Sequence, residues 1–426
     1  MLFIYNVLAL LGLLCSAIST AAAAAAAERP ALPLHTSSRW ILDANNARVK
    51  LRCVNWAGHL ETNVPEGLHR QSVEWLAGWI ADQGFNCVRL TYSIDHALDP
   101  DRPVAESFAA AGVPQLFEAA AARNPFLVEG GQSSNNNTTT TTTRDVFARV
   151  IAALWDRGIM TVLDNHVSRA GWCCNLTDGN GWWDAAPGYN AANSRFFRTD
   201  DWLRGLEAVA RWAATRPGVA AMSLRNELRP FLLQDLGLPP RADWYEYVGR
   251  GARRVHAANP DVLVVVGGSQ SATDLGHLRA ARPLDTSAWR GKNVWEFHAY
   301  SFTVTFPRLF DSCDVVRQEY GLLDGFVLEQ GRDWTGPLFL SEFGVGMAGG
   351  GPLSDEDAKY LSCLVGYMEG NDAEWAVWAL QGSYYVRDGQ VDYDEGWGLL
   401  NKEWTGWRNP EFKGMLGKMW EVQQGP

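Results

Sequence analysis

The chain has 426 residues, of which 37 are Lys or Arg and 48 are Asp or Glu, so its formal net charge is −11. Nucleic-acid binding needs a cationic surface that neutralises phosphates, and this acidic balance therefore argues against a nucleic-acid partner. Hydrophobic residues make up 47% of the chain and charged residues 20%, which excludes an intrinsically disordered protein and allows a large buried core.

The first 27 residues have the pattern of a targeting segment. Residues 2–27 carry no charge, residues 8–14 are apolar, and residues 21–27 are a run of alanines. This order is typical of a cleaved secretory signal peptide. The uncharged length would also allow an uncleaved membrane anchor, which is the less favoured alternative. We therefore predict a signal peptide over 1–27, one folded domain over 28–426, secretion, and no stable membrane partner.

Short β-rich runs alternate with amphipathic helical patterns along the rest of the chain. The predicted strands are 49–56, 85–92, 159–166, 219–227, 262–267, 294–300, 338–343 and 374–380. The predicted helices include 73–83, 145–157, 201–215, 243–258, 355–370 and 410–422. Eight such units predict an α/β protein of the (β/α)8 TIM-barrel type with a single catalytic domain. A doubly wound sheet is the competitor, but no GxGxxG turn follows an early strand.

A low-complexity segment over 132–143 interrupts the pattern between the second and third strands. It contains three Asn followed by six Thr, and cannot bury apolar surface. We expect a flexible surface insertion there. Asn136, Asn137 and Asn175 lie in Asn-x-Ser/Thr sequons, which predicts a glycosylated protein.

Six cysteines remain outside the targeting segment, which permits up to three disulfides in a secreted chain. Their pairing stays open, and buried free thiols are as reasonable for Cys53 and Cys87 as a bridge. We expect the neighbours Cys173 and Cys174 not to bridge each other, because adjacent residues meet disulfide geometry poorly. The chain contains no CxxC pair, so a structural zinc site is not expected.

Polar or aromatic side chains lie at the C-terminal ends of the predicted strands. In a barrel these ends meet at one face, where catalysis takes place. Taken alone, each of these side chains could have a structural role, either packing in the core or forming a salt bridge. Together they predict an active site, because buried charges are unfavourable unless they are paired or used. The set comprises Asn55, Arg89, His166, Asn226, Glu227, His298, Tyr300, Glu342 and Trp378.

Two carboxylates form the centre of this set. Glu227 ends the fourth predicted strand and Glu342 lies at the end of the seventh. A pair of acids facing each other is what glycoside hydrolysis requires, since one protonates the leaving oxygen. The other attacks the sugar when the carboxyls are about 5–5.5 Å apart, or activates water at about 6.5–9.5 Å.

Six segments together carry a family resemblance: GFNCVRLTYS, TVLDNHVS, SLRNEL, EFHAYS, LFLSEFGVG and EWAVWALQGSYY. In this order, over about 35–422, the chain resembles glycoside hydrolase family 5, the cellulase-type family of retaining barrel hydrolases. The strings RWILDANNARVKLRCVNWAGHLE and GWCCNLTDGNGWWD also resemble a plant branch of that family. The resemblance implies an extracellular enzyme of the cell wall or apoplast.

The resemblance implies a role for each predicted site residue. Glu342 would be the nucleophile and Glu227 the general acid and base. Arg89 and Tyr300 would hold Glu342, and Asn226 would bind the sugar 2-hydroxyl. His166 and His298 would bind sugar hydroxyls or the acid/base, and Trp378 would form the platform under the sugar. One departure is Leu228, where the family usually has Pro.

The implied substrates are β-linked glucan or mannan chains or β-glucosides, cleaved by a monomer without a cofactor or metal. A transglycosidase and a non-catalytic carbohydrate-binding barrel remain alternatives. A metal-dependent hydrolase is disfavoured because the first strand lacks a His-x-His pair. Aromatic residues in the predicted top loops could stack on sugars or only pack; they are Trp56, Trp172, Trp182, Trp183, Tyr384, Tyr385 and Trp397.

Overall fold

Eight parallel strands close into a barrel in this computed structural model, which describes residues 29–129, 131–132, 138–231, 241–302 and 312–426. Each strand pairs with its neighbour in chain order, and the last pairs with the first. The strands are β1 (Arg52–Trp56), β2 (Cys87–Ser93), β3 (Met160–Val167), β4 (Val219–Ser223), β5 (Leu263–Gly267), β6 (Asn293–Ala299), β7 (Leu338–Phe343) and β8 (Glu374–Val377). The barrel prediction is confirmed, and the doubly wound alternative is excluded.

In the described part of the chain, six helices that each follow a barrel strand cover the outside of the barrel: α1 (Val73–Asp82), α2 (Thr143–Asp156), α3 (Thr199–Ala213), α4 (Ala242–Ala258), α5 (Cys313–Leu323) and α6 (Asp355–Asn371). Other helical segments are Ile94–Leu98, Val104–Ala110, Pro114–Arg123, Phe126–Glu129, Ala191–Ser194, Ser269–Ala272, His277–Ala280 and Phe412–Met415. Single 3-10 turns are Ser287–Trp289, Gly325–Leu328 and Gly417–Trp420. Among the described residues, no helix has both the length and the apolar character needed to cross a membrane.

The C-terminal segment departs from its prediction. A single helix over 410–422 is wrong, because the chain forms Phe412–Met415 and then the separate turn Gly417–Trp420. Gly417 has a φ of +50°, a left-handed conformation that ends a right-handed helix and that glycine adopts readily.

The predicted insertion over 132–143 is described only in part. Residues 133–137, with the sequons at Asn136 and Asn137, lie outside the described residues, as does the predicted signal peptide. Gly131–Gln132 pairs antiparallel with Thr138–Thr139. The end of the Thr run begins α2, because the Thr142 hydroxyl accepts from the Asp145 N–H and the Asp145 carboxylate accepts from the Thr142 N–H. The third sequon, Asn175, is exposed.

The inward-facing side chains change from apolar to polar along six of the eight barrel strands. Cys53 and Cys87 belong to a buried apolar cluster near the strand beginnings, whereas Asn55 and Arg89 lie two residues further on. Side chains two positions apart face the same side of a strand, so both pairs point inward. The same step occurs from Val162 to Asp164, from Ala221 to Ser223, from Val294 to Glu296 and from Phe339 to Ser341. The barrel therefore has an apolar lower half and a polar upper half.

An N-terminal hairpin closes the lower end of the barrel. Its strands are His35–Ser37 and Trp40–Leu42, and Leu34 and Ile41 pack into the apolar cluster of the barrel interior. A second hairpin follows β8, with the strands Ser383–Arg387 and Gln390–Asp394. It extends the chain beyond the upper half of the barrel, where the polar side chains lie.

All six cysteines outside the predicted signal peptide form disulfides. Cys53 and Cys87 are register partners on β1 and β2, with Cα atoms 4.5 Å apart, and Cys313 joins Cys363 across α5 and α6. The expectation that Cys173 and Cys174 do not bridge each other is wrong. The two residues form a disulfide with their Cα atoms 3.0 Å apart.

Candidate active site

The predicted strand-end residues meet around one cavity of about 370 Å³ at the upper end of the barrel. Ligand sites of enzymes are usually clefts of about 300–1,000 Å³. Arg89 and His298 lie buried beneath this cavity, and they contact the carboxylates that face it. The predicted residues that line it are His166, Asn226, Glu227, Tyr300, Glu342 and Trp378. The structure thus brings together eight of the nine residues at the predicted strand ends, and the ninth, Asn55, accepts from Arg89 beneath them.

Glu342 is held by one donor on each carboxylate oxygen. The Arg89 Nη1 donates to Oε1 at 2.7 Å, and the Tyr300 hydroxyl donates to Oε2 at 3.1 Å. Burial raises the pKa of the Glu342 carboxyl, while the charges of His298 and Arg89 oppose that rise. The two donors fix the carboxylate in one orientation, and it is only 5% exposed.

Glu227 approaches the same point from the opposite side of the barrel. It follows β4 at a φ of +43°, a left-handed conformation that is uncommon for a residue other than glycine. Its Oε1 accepts from His298 Nδ1 at 3.1 Å. One ligand atom from each of Glu227, His298 and Glu342 can be chosen so that all lie within 4.8 Å of one another. The two carboxylates are therefore close neighbours.

His298 lies among three carboxylates. Its Nδ1 is 3.7 Å from Glu342 Oε2, in addition to its bond with Glu227, and its Nε2 is 3.6 Å from Glu296 Oε1. Burial alone would lower the pKa of the imidazole, but the surrounding carboxylates raise that pKa to about 10. A register shift in the β6–β7 pairing falls between Phe297 and His298.

The charge state of His298 should make stability depend on pH. The folded state binds this proton more tightly than the unfolded state, where the pKa is ~6.5. The resulting stabilisation is fully present below about pH 6.5 and is lost as the pH rises through about 10. We expect the unfolding free energy of the wild type to fall across this window by more than ~1 kcal/mol relative to His298→Asn, as measured by urea unfolding.

The matched control for this experiment is His35→Asn, on the hairpin at the lower end of the barrel. The unfolding free energy of this variant should change with pH as that of the wild type does. Parallel curves for the wild type and His298→Asn would contradict the assigned charge.

Arg89 connects the strands beneath the cavity. Besides Glu342, it donates to Asn55 Oδ1 at 2.9 Å, to Asn226 Oδ1 at 2.9 Å and to Glu296 Oε1 at 3.0 Å. A further contact of 2.9 Å joins it to Asp164. This fully buried guanidinium uses its planar fork to hold four polar partners and the nucleophile candidate in fixed positions.

Two buried carboxylates that sequence reasoning missed support this arrangement. Glu296 accepts from the hydroxyls of Ser223 and Ser341. Burial alone would raise the pKa of Glu296, but Arg89 and His298 lower it to about 2. Asp164 accepts from His166 Nδ1 at 2.7 Å. Both acids lie two residues before a predicted histidine on the same strand, a spacing that was visible in the sequence.

Asn226 has its amide orientation fixed by its neighbours. Arg89 donates to its oxygen, so the amide NH₂ faces His166 Nε2 at 3.3 Å. Burial lowers the pKa of His166 well below its usual value, so the ring is neutral. Because Asp164 accepts from Nδ1, the proton lies on Nδ1 and Nε2 is the acceptor. Asn226 therefore presents N–H groups to the cavity.

Trp378 and two of the loop aromatics lie at the cavity, and five do not. Trp378 stacks on His166 with ring centroids 5.4 Å apart, and Trp172 and Trp397 also line the cavity. The sugar-stacking possibility is wrong for the others, which are fully buried in packing: Trp56, Trp182, Trp183, Tyr384 and Tyr385. Leu228, which departs from the family pattern, is likewise buried in the core.

Further cavity residues were not predicted. Arg387 and Glu395 reach the cavity from the hairpin after β8 and its following loop, and they lie 3.3 Å apart. The Arg387 guanidinium stacks over the Trp172 ring at 3.4 Å. The bonded pair Cys173 and Cys174 also lines the cavity. No sequence pattern signals these positions, because long loops bring them to the site.

Among the side chains that the structure describes, two groups have the spacing of metal ligands. His166 lies near Cys173 and Cys174, but both sulfurs are disulfide-bonded and lack the thiolate charge that binds metals. Glu227, His298 and Glu342 form the other group. There His298 donates its Nδ1 proton to Glu227, so that nitrogen has no lone pair for an ion. Paired carboxylates with fixed donors are instead suited to proton transfer and nucleophilic attack.

The chain is similar to known glycosidases. A model of the family Cellulase (glycosyl hydrolase family 5) matches residues 42–383. A "Glycosyl hydrolase 5 family protein" of Chamaecyparis obtusa is 38% identical over 410 residues, which cover 94% of this chain and 67% of that relative.

Solved structures share the fold. The catalytic domain of the major endoglucanase from Xanthomonas campestris pv. campestris has a TM-score of 0.67 and 21% identity, over 91% of this chain and 99% of that one. A β-glucanase from Saccharophagus degradans in complex with cellotetraose has a TM-score of 0.60 and 17% identity, over 92% and 94% of the two chains. At these identities the likeness concerns the barrel alone.

Proposed function

Because this chain belongs to glycosyl hydrolase family 5, and is therefore a glycoside hydrolase, we propose that it is a retaining β-glycosidase that works by double displacement. Glu342 is the nucleophile and Glu227 the general acid and base. The observation that carries this proposal is that an oxygen atom of Glu227 lies within 4.8 Å of an oxygen atom of Glu342. That separation matches the ~5–5.5 Å of retaining enzymes better than the ~6.5–9.5 Å of inverting ones.

In the first step, a carboxylate oxygen of Glu342 attacks the anomeric carbon and forms a glycosyl ester. The bond from this carbon to the leaving oxygen breaks, and Glu227 gives its proton to that oxygen. Arg89 and Tyr300 keep the attacking carboxylate in one orientation through their bonds of 2.7 and 3.1 Å. Holding the nucleophile in place in this way lowers the entropic part of the barrier.

In the second step, Glu227 takes a proton from water and the water oxygen attacks the anomeric carbon. The ester bond to Glu342 breaks, and both carboxyls return to their starting states. His298 forms a hydrogen bond with Glu227 and lies 3.7 Å from Glu342. The imidazole is therefore close to whichever of the two carboxylates carries the negative charge at each step. Two inversions at one carbon retain the β configuration.

We propose β-linked glucan or mannan chains, their oligosaccharides, or β-glucosides as substrates. The endoglucanase and β-glucanase likenesses favour glucans. The cavity supports a sugar, since Trp378 offers a flat apolar face beside the polar Asn226 and His166. All of these side chains come from one chain, so we also propose that a monomer carries the activity.

The test is a substrate panel followed by identification of the first product. The panel holds aryl β-glucoside, aryl β-mannoside, cello-oligosaccharides, β-1,3-glucan and mannan, each with and without an alcohol acceptor. We expect turnover of at least one substrate, and NMR should detect the β anomer first. The α anomer as the first product would rule out double displacement. Exclusive transfer to the alcohol would favour the transglycosidase alternative.

We propose that the protein is secreted into the cell wall or apoplast. The apolar N-terminal segment, three disulfides and the exposed Asn175 sequon support this location. Mass spectrometry of the mature protein would test it through the N terminus and the glycan at Asn175.

A further inference from the structure

The Cys173–Cys174 disulfide lies at the proposed sugar site. It lines the cavity with Asn226 and Glu227. The Asn226 Nδ2 is 3.5 Å from Cys174 Sγ and 3.8 Å from Cys173 Sγ, both within reach of a hydrogen bond to sulfur. Cys173 is 8% exposed and Cys174 is half-buried, so the disulfide borders the cavity.

The Asn226 amide has two N–H groups and three nitrogen or sulfur neighbours. One N–H has a good acceptor in the neutral His166 Nε2, at 3.3 Å. The amide cannot turn over, because its oxygen accepts from Arg89 at 2.9 Å. The two N–H bonds of a planar amide diverge at a fixed angle, so His166 can accept from only one of them. The other neighbours of the Asn226 Nδ2 are the two sulfur atoms.

We propose that the Cys173–Cys174 disulfide is a positioning element that holds the second Asn226 N–H ready for the sugar 2-hydroxyl. This inference rests on the proposed function, in which Asn226 binds that hydroxyl. Disulfide sulfur is a weak acceptor. It shields the N–H from water without forming a strong bond that the sugar would have to replace. A water or hydroxyl at the same place would compete with the substrate for that N–H.

Arg229 fixes the disulfide relative to the acid/base residue. Its Nη2 donates to Asp178 Oδ2 at 2.9 Å, on the loop that carries the two cysteines. Its Nη1 donates to the Glu227 backbone oxygen at 2.7 Å and lies 3.9 Å from Cys173 Sγ. This 4% exposed side chain therefore joins the disulfide loop to the residue after Asn226. The sulfur atoms and the amide keep their relative positions for this reason.

The experiment compares two substrates that differ only in the 2-hydroxyl. They are the aryl β-glycoside that the wild type cleaves fastest and its 2-deoxy counterpart. For the double variant Cys173→Ala/Cys174→Ala, we expect kcat/KM on the hydroxyl substrate to fall about 10-fold, the value of one ordinary hydrogen bond. On the 2-deoxy substrate, kcat/KM should change less than about 2-fold.

The matched control is Cys313→Ala/Cys363→Ala, which removes a disulfide between two outer helices. This control variant should leave the ratio of the kcat/KM values for the two substrates unchanged. Equal losses on both substrates in the Cys173/Cys174 variant would overturn the proposal, since they indicate a general effect of the loop. No loss on either substrate would also overturn it.

A second variant and a binding measurement guard against misfolding. Cys173→Ser/Cys174→Ser keeps the side-chain size but offers stronger acceptors, and should also reduce the preference for the 2-hydroxyl. Calorimetry with a glucose-configured iminosugar and its 2-deoxy analogue gives the same comparison without turnover. A wild type that neither cleaves nor binds any sugar would refute the proposed function itself. A wild type that does both, while the variants keep its selectivity, refutes only the role of the disulfide.

Discussion

Replacing Glu342 by alanine should reduce kcat by about 10⁴-fold or more with the fold intact, because no other group can form the glycosyl ester. In the proposed mechanism the neighbouring carboxylate of Glu227 faces the leaving group, and it lacks the two donors that Arg89 and Tyr300 supply to Glu342. The measurement is kcat on the best substrate of the panel, with circular dichroism and thermal unfolding on the same sample.

A control for this variant is Glu374→Gln. Glu374 is also a buried glutamate paired with an arginine, Arg48 at 2.7 Å, but it lies at the beginning of β8, away from the cavity. We expect it to lose stability while keeping kcat close to the wild type. Near wild-type turnover by Glu342→Ala would refute the nucleophile assignment. A loss of kcat in both variants would indicate damage to the barrel instead.

Glu227→Ala should show a loss that depends on the leaving group. General acid catalysis contributes about 10²- to 10⁴-fold, so substrates with a poorly acidic aglycone should lose about that factor. A dinitrophenyl glycoside needs no protonation of its leaving oxygen, and its first step should stay fast. The glycosyl-enzyme should then accumulate, because the base that activates water is missing. Mass spectrometry should detect it as an adduct on Glu342.

Azide provides the decisive comparison for Glu227. It is an anion that needs no base, so it should react with the accumulated glycosyl-enzyme and restore turnover of the activated substrate. The product should be a β-glycosyl azide. Glu342→Ala, tested in parallel, should give no β azide, since it forms no ester. The same loss for good and poor leaving groups, without rescue by azide, would contradict the acid/base assignment.

The barrel and most of the site could be predicted from the sequence because each strand can be recognised from its own residues. An apolar run buried on both faces is easily recognised, and the polar residue at its end must lie at the upper face of a barrel. Arg89 and Glu342 follow this logic, and their hydrogen bond connects two strands that are 253 residues apart. The family resemblance then supplied the chemical roles, which the geometry alone would have left open.

Other features could not be predicted, because they depend on how loops and neighbours meet in space. The approach of Arg387 to Trp172 joins two loops that no periodicity relates. The pairing of Cys173 with Cys174 depends on the local backbone, which the side-chain pattern does not determine. Glu296 and Asp164 were visible as charges within apolar strands, yet only the structure shows that both surround Arg89.

The change from an apolar to a polar interior halfway up the barrel separates two kinds of mutational tolerance. Cys53 and Asn55 are neighbours on one face of β1, yet one belongs to the hydrophobic interior and the other to the Arg89 network. Laboratory evolution for heat resistance can therefore explore the lower positions of every strand without altering chemistry. Selection for a new substrate has to work on the upper positions and on the loops above them.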